Sequence, residues 1–398
     1  MNIIISGGWG YGNLGDDAIL LSTIKIIERK YPTSEIIILT YNIAQTKTLM
    51  EETDKIKIRS SIHSILEPQI QTKIFFKTKI NKLLNKLIGN KINNLKKEHN
   101  SKRIIQHLLK SPIAVQKKYQ NKLQEYVNIC KNANLYIMAG GGYINDWNYS
   151  IASKYLEILI AKQFNIQCYS IGQTIGPFHK IYTKKLAKKL FSNMDFMFFR
   201  DTESIKDIKE MGLNCIEEAV PDLALYESYS APKKNQIVLI PFLYDILNNI
   251  KGLGENLKNI AELSKCEIII TVSQLWYNQY QIAFTLYLYL QKLNLNPKLV
   301  LPRNMYDLQD IIAQSRFVIS QNLHGLILGY RSNCIVISLN SRRKFKTFME
   351  SINASDRIIE PNQIRNNELY NIFKENLNTN QLMGNKFQSQ ILSNLNKI

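Results

Sequence analysis

The chain has 398 residues, 45% of them hydrophobic and 21% charged, which is globular composition and, at about 150 residues per domain, length for two to three domains. Disorder, a collagen-like fibre and a minimal disulfide-stapled scaffold are thereby excluded. Lysine and arginine number 51 against 32 aspartate and glutamate, a net charge of +19 that favours anionic partners such as nucleic acid, phospholipid surfaces or phosphorylated substrates.

In chain order, the first element is a short apolar strand from Asn2 to Ser6, followed by glycines. It is too short for a signal-peptide core and lacks a basic start, so a cytoplasmic protein is expected. A helix from about Asp16 to Lys30 and a strand from Glu35 to Thr40 set the rhythm of βαβ units. That rhythm breaks between Glu67 and Glu125, where fourteen Lys or Arg stand against three Glu, a net +11. Within this insertion Ile80, Leu83, Leu84, Leu87, Ile88 and Ile92 recur at helical spacing with Lys79, Lys82, Lys86 and Lys91 between them, the pattern of a basic amphipathic helix. It reads either as a solvated insertion packed on the body or as a surface for an anionic membrane, where each basic residue adds about 1 kcal/mol. No nucleic-acid motif or aromatic interleaving accompanies the charge, so nucleic acid is not expected as a partner.

Further strands are predicted at Leu135 to Met138, Gln167 to Ile171 and Phe196 to Phe199. After the break at Ala231 to Asn235 a second series follows: Ile237 to Ile240, Glu267 to Val272, Lys298 to Leu301, Phe317 to Ser320 and Ile335 to Leu339. The uncharged stretch from Ile268 to Gln291 carries Ser273, Gln274, Asn278, Gln279 and Gln281, too polar for a spanning helix of about 20 apolar residues, and reads as strand, loop and helix. Beyond residue 362 the chain turns Asn-rich, with one helix expected from Asn366 to Leu377. The five cysteines are widely spaced without a C-x-x-C pair, signalling neither a disulfide framework nor a zinc site. The expected organisation is an N-terminal α/β domain over 1–225 with the insertion at 67–125, a C-terminal α/β domain over 235–345, and a helical tail over 346–398. In such parallel sheets ligands bind beyond the carboxyl ends of the strands.

Five strand-end motifs carry chemistry. The first runs from Gly7 to Leu20 and contains Gly10-x-Gly12-x-x-Gly15. It lacks the acidic residue a dinucleotide fingerprint needs after the second strand, where Thr40-Tyr41-Asn42 stands. Asp16 and Asp17 at the helix start would also repel a phosphate. Carboxylates with Asn13 on a glycine-lined loop suit neutral hydroxyl groups, as on a sugar; the alternative for Asp16 is a plain helix cap. The second motif, Gly140-Gly141-Gly142 with Asp146, lets backbone approach a ligand closely. The third is Gly172-Gln173-Thr174-Ile175-Gly176-Pro177. The fourth, Arg200-Asp201 with Ser204, offers either a carboxylate or phosphate fork or a local ion pair. The last is Asn322-Leu323-His324-Gly325, whose His324 suits general acid or base work near neutral pH, followed by the cationic run Arg342, Arg343, Lys344 and Lys346.

Together these motifs resemble the polysaccharide pyruvyl transferase family over Met1 to about Phe348. Asn13, Gly15, Asp16, Ala18 and Leu20 are similar to its opening signature, with Asp17 where many members have Glu. Gly140 to Gly142 with Asp146, Gly172 to Pro177, and Arg200-Asp201 with Ser204 resemble its internal motifs. Pro221-Asp222-Leu223-Ala224 resembles its domain boundary. Leu323-His324-Gly325 with Lys344 resembles its donor-holding histidine and lysine; Asn322 stands where many members have Arg.

The resemblance implies two Rossmann-like parallel-sheet domains facing a cleft, the glycosyltransferase B type. It also implies transfer of a carboxyethylidene group from phosphoenolpyruvate to a sugar of a surface-polysaccharide precursor; the charge and interleaved Ile and Leu of the basic insertion suggest that the acceptor is lipid-linked and met at the cytoplasmic face of an anionic membrane. On it we expect His324 and Asp16 to be catalytic, and Lys344, Arg200, Asn322 and Arg343 to hold the donor. Asn13, Gly15, Asp17, Gly141, Gly142 and Asp146 are expected to meet the acceptor. No metal or cofactor is required by this scheme. The rival readings are a nucleotide-sugar glycosyltransferase of the same fold and a non-catalytic membrane-docking member of a biosynthetic complex.

Overall fold

The computed structural model describes residues 1–66, 102–146, 150–360, 363–384 and 386–396. The amphipathic pattern from Lys79 to Ile92 lies outside the described residues. The chain divides into two compact units, one of Met1–Gly8, Ile27–Lys47 and Glu51–Val220, the other of Trp9–Ile26, Thr48–Met50 and Pro221–Ile398.

The first unit is built on a six-stranded parallel sheet in the order β3-β2-β1-β4-β5-β6. Its strands are β1 (Asn2–Ser6), β2 (Glu35–Thr40), β3 (Ile56–Ser60), β4 (Leu135–Ile144), β5 (Gln167–Ile175) and β6 (Phe196–Phe199). Parallel strands covered on both faces read as unbroken apolar runs, and Ile3, Ile4 and Ile5 are all fully buried. β3 was not anticipated, because Ile56-Lys57-Ile58-Arg59-Ser60 mixes cations into an edge strand. Two strands also run further than their apolar cores suggest. β4 continues through Gly140 to Gly142 as far as Ile144, and β5 through Gly172 to Ile175. Each supplies the other's partners, with Gly141 opposite Gln173 and Ile144 opposite Ile175 across an irregular register. The triple glycine is therefore a bulged strand end and not a strand-to-helix turn.

The second unit carries a five-stranded parallel sheet in the order β11-β10-β7-β8-β9: β7 (Gln236–Ile240), β8 (Glu267–Ile270), β9 (Lys298–Leu299), β10 (Phe317–Ser320) and β11 (Ile335–Ser338). The stretch after β8 forms a loop and the helix Tyr277–Lys292, as its polar residues require. Among the described residues no helix is long and apolar enough to cross a membrane. The C-terminal region holds two helices instead of one. Glu368–Glu375 is joined by Lys386–Leu395, which buries Phe387, Ile391 and Leu395 at helical spacing.

In both sheets the strand order reverses once, between β1 and β4 and between β7 and β10, and such switch points are where doubly wound sheets bind ligands. At the second, the helix Leu323–Arg331 sits hard on the sheet because Gly325 and Gly329 face it. A Cβ on Gly325 would lie 2.5 Å from Ser320 Oγ, and one on Gly329 2.9 Å from the methyls of Val318 and Val336.

The first unit also encloses an ion pair that an otherwise apolar helix, Ser150–Gln163, carries inward. Lys154 and Glu157 are both fully buried, with Lys154 Nζ 3.2 Å from Glu157 Oε2. Ser6 Oγ and Tyr136 OH each donate to the same carboxylate oxygen at 2.7 Å, and Ile62 N donates to the other at 3.3 Å. Lys154 also donates to Ser6 Oγ and lies 5.7 Å and 5.8 Å from the ring centroids of Tyr41 and Tyr143. Burial pulls the ammonium's pKa down, and Glu157 opposes that pull. Removing one partner of such a pair leaves an uncompensated buried charge, so Lys154→Ala should cost about 3–5 kcal/mol of stability. Urea denaturation of the variant measures this; a loss below about 1 kcal/mol, the scale of an exposed pair, would show that the pair is not carried as charges.

Candidate functional site

The glycine loop at the head of the chain packs in the second unit. Gly10 and Gly12 turn it at φ of 74° and 79°. Its next residues then pair with the segment leaving β8: Leu14 N donates to Ser273 O at 3.1 Å, Leu275 N donates to Gly12 O at 2.7 Å, and Asn13 and Gln274 form an antiparallel bridge. Asn13 O accepts from the backbone N–H groups of Asp16 and Asp17, which opens the helix Leu14–Lys30. Asp16 and Asp17 stand in its first turn, where an ionised carboxylate complements the positive helix end.

The two aspartates differ in environment. Asp16 is half-buried and its Oδ2 accepts from Asn13 Nδ2 at 2.7 Å. Asp17 is 1% exposed, and its Oδ1 accepts from Gly10 N at 3.3 Å. Burial pushes its carboxyl up to about 7, the Gly10 hydrogen bond only partly opposing this.

Gly15 meets the residue that sequence reasoning singled out at the far end of the chain. A Cβ built on Gly15 would lie 1.9 Å from His324 Cγ and 2.0 Å from Nδ1, so the imidazole occupies the space that any side chain at position 15 would need. His324 is held from its own side by the exit of β10. Ser320 Oγ donates to Asn322 O at 2.8 Å, Asn322 N donates back to Ser320 Oγ at 2.9 Å, and Asn322 Oδ1 accepts from His324 N at 2.9 Å and Gly325 N at 3.3 Å. Asn322 thus caps the helix, which leaves its amide NH2 as the end able to donate to a ligand.

The neighbouring strand repeats this device. At the exit of β11, Ser338 Oγ donates to Asn340 O at 2.7 Å, Asn340 N donates to Ser338 Oγ at 3.3 Å, and Asn340 Oδ1 accepts from Arg342 N at 3.1 Å. Ser320 and Ser338 are in register, so two Ser-x-Asn exits launch adjacent helices from one sheet edge. The second, Arg343–Ser351, presents Arg343 and Lys344 exposed in its first turn, with Lys344 Nζ 5.5 Å from the Phe345 ring centroid. Cations at a positive helix end disfavour the helix and concentrate potential for an anion. Lys346 is turned instead to Glu360, at 3.9 Å.

The first unit gathers a separate group at its strand ends. Arg200 Nε donates to Thr174 Oγ1 at 2.7 Å, and that hydroxyl donates to Asp201 Oδ2 at 2.7 Å. The threonine thus mediates between Arg200 and Asp201. A Cβ on Gly142 would lie 3.6 Å from Arg200 Nη2, while Gly141 takes a φ of 112°. Asp201 Oδ1 caps the helix Thr202–Glu210 through Ser204 N and Ser204 Oγ, both at 2.8 Å. Asp146 spends both oxygens on the start of the helix Ile181–Phe191, accepting from His179 N at 2.6 Å, Lys180 N at 3.1 Å and the Thr183 hydroxyl.

A family model for polysaccharide pyruvyl transferase matches residues 13–343. The chain belongs to the polysaccharide pyruvyl transferase family. No curated protein matches it in sequence. Its fold is similar to that of UDP-GlcNAc 2-epimerase from Methanocaldococcus jannaschii, with a TM-score of 0.57 at 10% identity over 100% of this chain and 99% of that one. The Neisseria meningitidis UDP-GlcNAc 2-epimerase bound to UDP-GlcNAc gives 0.52 at 12% identity over 100% of both chains. Anabaena Alr3699/HepE in complex with UDP and glucose gives 0.55 at 12% over 100% of both. At these identities the likeness is one of fold: two parallel α/β sheets of the glycosyltransferase B type.

Within the second unit of this family member, Asn13, Gly15, Asp16, Asp17, Asn322 and His324 come together, and Arg343 and Lys344 stand at the adjacent strand exit. Gly141, Gly142, Asp146 and Arg200 belong to the first unit. Sequence reasoning passed over Lys154 and Glu157, whose signal is a Lys-x-x-Glu inside an apolar helix. It also passed over Trp276, which carries no signal short of knowing that its loop pairs with residues 12–14.

Two outcomes follow. Gly15→Ala must displace the loop or the imidazole, an overpacking cost of about 1–3 kcal/mol that a chemical denaturation curve reads; an unchanged midpoint would show the two are not in contact. For Asp17 the folded protein holds the proton more tightly than the unfolded chain. Its stabilising contribution is therefore complete below about pH 4 and is lost as pH rises through about 7. Asp17→Asn should melt above the parent at pH 8, with the gap closing towards pH 4. A gap independent of pH would mean the carboxyl is ionised throughout.

Proposed function

We propose that this family member moves a carboxyethylidene group from phosphoenolpyruvate to two hydroxyls of one sugar in a surface-polysaccharide precursor, forming a ketal and releasing phosphate. The observation that carries the reading is the contact of Gly15 with His324, which sets an imidazole against the Asn13 and Asp16 loop. After the neighbouring strand, in the first turn of the helix Arg343–Ser351, stand the exposed cations Arg343 and Lys344.

The chemistry divides among these residues by type. Protonation at C3 of the donor makes the methyl group and leaves an electron-poor C2, which one sugar hydroxyl attacks. Phosphate departs, and the second hydroxyl closes the ketal. Of the two hydroxyl protons, one balances the methyl group and the other leaves with phosphate. His324 serves as the acid or base, since a ring nitrogen can give or take a proton near neutral pH. Arg343 and Lys344 hold the donor's carboxylate and phosphate, aided by the Asn322 amide, because fixed cations aimed at developing charge lower the barrier. Asp16 accepts a hydroxyl proton, and Asn13 and the Gly15 backbone line the acceptor's approach, with Asp17 pinning the loop from behind. In the first unit, Arg200 beside Thr174 and Gly142 is an anion-binding candidate of its own. The net +11 of residues 67–125 supports work on a lipid-linked acceptor at an anionic membrane face.

Incubation with phosphoenolpyruvate and an undecaprenyl-linked oligosaccharide pool should release phosphate and yield an acid-labile pyruvate ketal. Release of UDP from UDP-sugars instead would replace this reading with a glycosyltransferase. His324→Ala should lower turnover by about 10²- to 10⁴-fold with an unchanged melting curve, and near-normal turnover would remove His324 from the mechanism. Lys344→Ala should raise the KM for phosphoenolpyruvate more than it lowers kcat, because it binds ground and transition states alike. An unchanged KM would shift the donor contact to Arg343.

A further inference from the structure

Where the glycine loop pairs with the segment leaving β8, the second unit exposes aromatic rings beside buried polar atoms, and of these groups only Asn13 has yet been given a task. Tyr11 is 50% exposed and Tyr277 68%. Trp276, next to Tyr277 in sequence, donates its indole N–H to Tyr11 O at 2.8 Å, with its ring edge-on to Tyr11 at 6.2 Å and 83°. One turn along the helix, Gln281 Oε1 accepts from the hydroxyl of the exposed Tyr244 at 3.3 Å. Scattered exposed apolar groups need no explanation, but a contiguous set rimmed by polar residues marks a binding surface. Its polar side is equally unusual. Ser273 is 1% and Gln274 5% exposed, yet Ser273 Oγ, Gln274 Oε1 and Asn13 Oδ1 are buried with no hydrogen-bond partner among the described residues. Folded proteins leave few such groups, and here three fall on two paired segments.

We infer that residues 11–14 with 273–277 form a pyranose-binding subsite in which Tyr11, Trp276 and Tyr277 stack on the sugar while Asn13, Ser273 and Gln274 meet its hydroxyls. A pyranose presents polarised C–H bonds on a face, which suit the electron-rich face of an aromatic ring, and hydroxyls on its rim. The amide oxygens accept from those hydroxyls and the serine hydroxyl donates or accepts. Neither segment carries a charged residue, so the ligand recognised here is a neutral one. The subsite shares its loop with Asn13, Gly15 and Asp16, and its assignment to the acceptor rests on the transfer proposed above.

The test separates binding from turnover. Saturation-transfer NMR with methyl glycosides of glucose, galactose, mannose and N-acetylglucosamine, and with their β-1,4-linked dimers, should show contact from aromatic protons to at least one sugar. Tyr11→Ala and Tyr277→Ala alter exposed side chains and should melt as the parent does, yet each should weaken binding roughly three- to tenfold. Gln274→Met keeps the volume, removes the acceptor, and should weaken binding without loss of stability. In turnover assays the aromatic variants should raise the acceptor KM while the KM for phosphoenolpyruvate stays within about twofold, a loss of uniform binding confined to one substrate.

Absence of binding to every probe, or equal binding by parent and variants, overturns the subsite. So does displacement of the sugar by uridine, which would make the rings a nucleobase platform. Loss of anionic-liposome binding in these variants with sugar binding intact would likewise overturn it, making the rings a membrane contact. If sugars bind and the variants lose them while phosphoenolpyruvate is never consumed, the subsite stands and the transfer reading fails. If transfer proceeds with unchanged acceptor KM in the variants, the subsite alone fails.

Discussion

A missing side chain at position 15 governs the arrangement of the second unit's site. Because Gly15 has no Cβ, the start of the helix Leu14–Lys30 and the imidazole of His324 occupy neighbouring space that a methyl group would already fill. Interiors are close-packed and transmit such contacts with little give, so every restraint on either partner becomes a restraint on both. On one side these are the backbone bonds from Gly12 and Leu14 to the segment after β8, and Asp17 held against Gly10. On the other they are the Asn322 cap and the tight seating of Gly325 and Gly329 on β10 and its neighbours.

Charge is distributed with matching economy. The first unit buries a lysine and a glutamate and satisfies the carboxylate with Ser6, Tyr136 and the Ile62 amide. Such a pair contributes little stability over an apolar replacement but is costly to break. Near the glycine loop Asp17 is buried and its proton held to about pH 7, so the loop's inner face is less anionic than its sequence implies. At the exit of β11, by contrast, Arg343 and Lys344 remain exposed at a helix end whose dipole opposes them.

The similarity to UDP-GlcNAc 2-epimerases at 10–12% identity shows how far one scaffold can be shared while its strand-end loops differ. Chemistry on such folds is set by the side chains at the sheet edge and not by the sheet. In this family member that edge carries two Ser-x-Asn exits in register, each closing a short side-chain and backbone ring that aims the first turn of the next helix. One delivers His324 and the other the cationic turn, a repetition visible only once Ser320 and Ser338 stand side by side.

Apolar runs such as Ile3 to Ile5 and Phe317 to Ser320, bounded by glycine, serine or asparagine, are enough to read strands, because a parallel strand buried on both faces can be nothing but apolar. The alternation with helices, the two-sheet fold class and the family were legible in the same way. His324 and the acidic glycine loop also stood out as candidates, and the structure sets Gly15 against His324. What the linear order could not contain was proximity. That Trp9 to Ile26 pack with a sheet more than two hundred residues downstream depends on backbone pairing of residues 12–14 with 273–275, and backbone groups carry no sequence signal. That Asp146 is consumed in starting a helix, and that Lys154 and Glu157 face inward, depends on which way a helix is rotated. Only the packing of the whole unit sets that rotation. The extension of β4 through three glycines was decided by β5 alongside it, since glycine favours no strand by itself and enters one when a neighbour offers the hydrogen bonds.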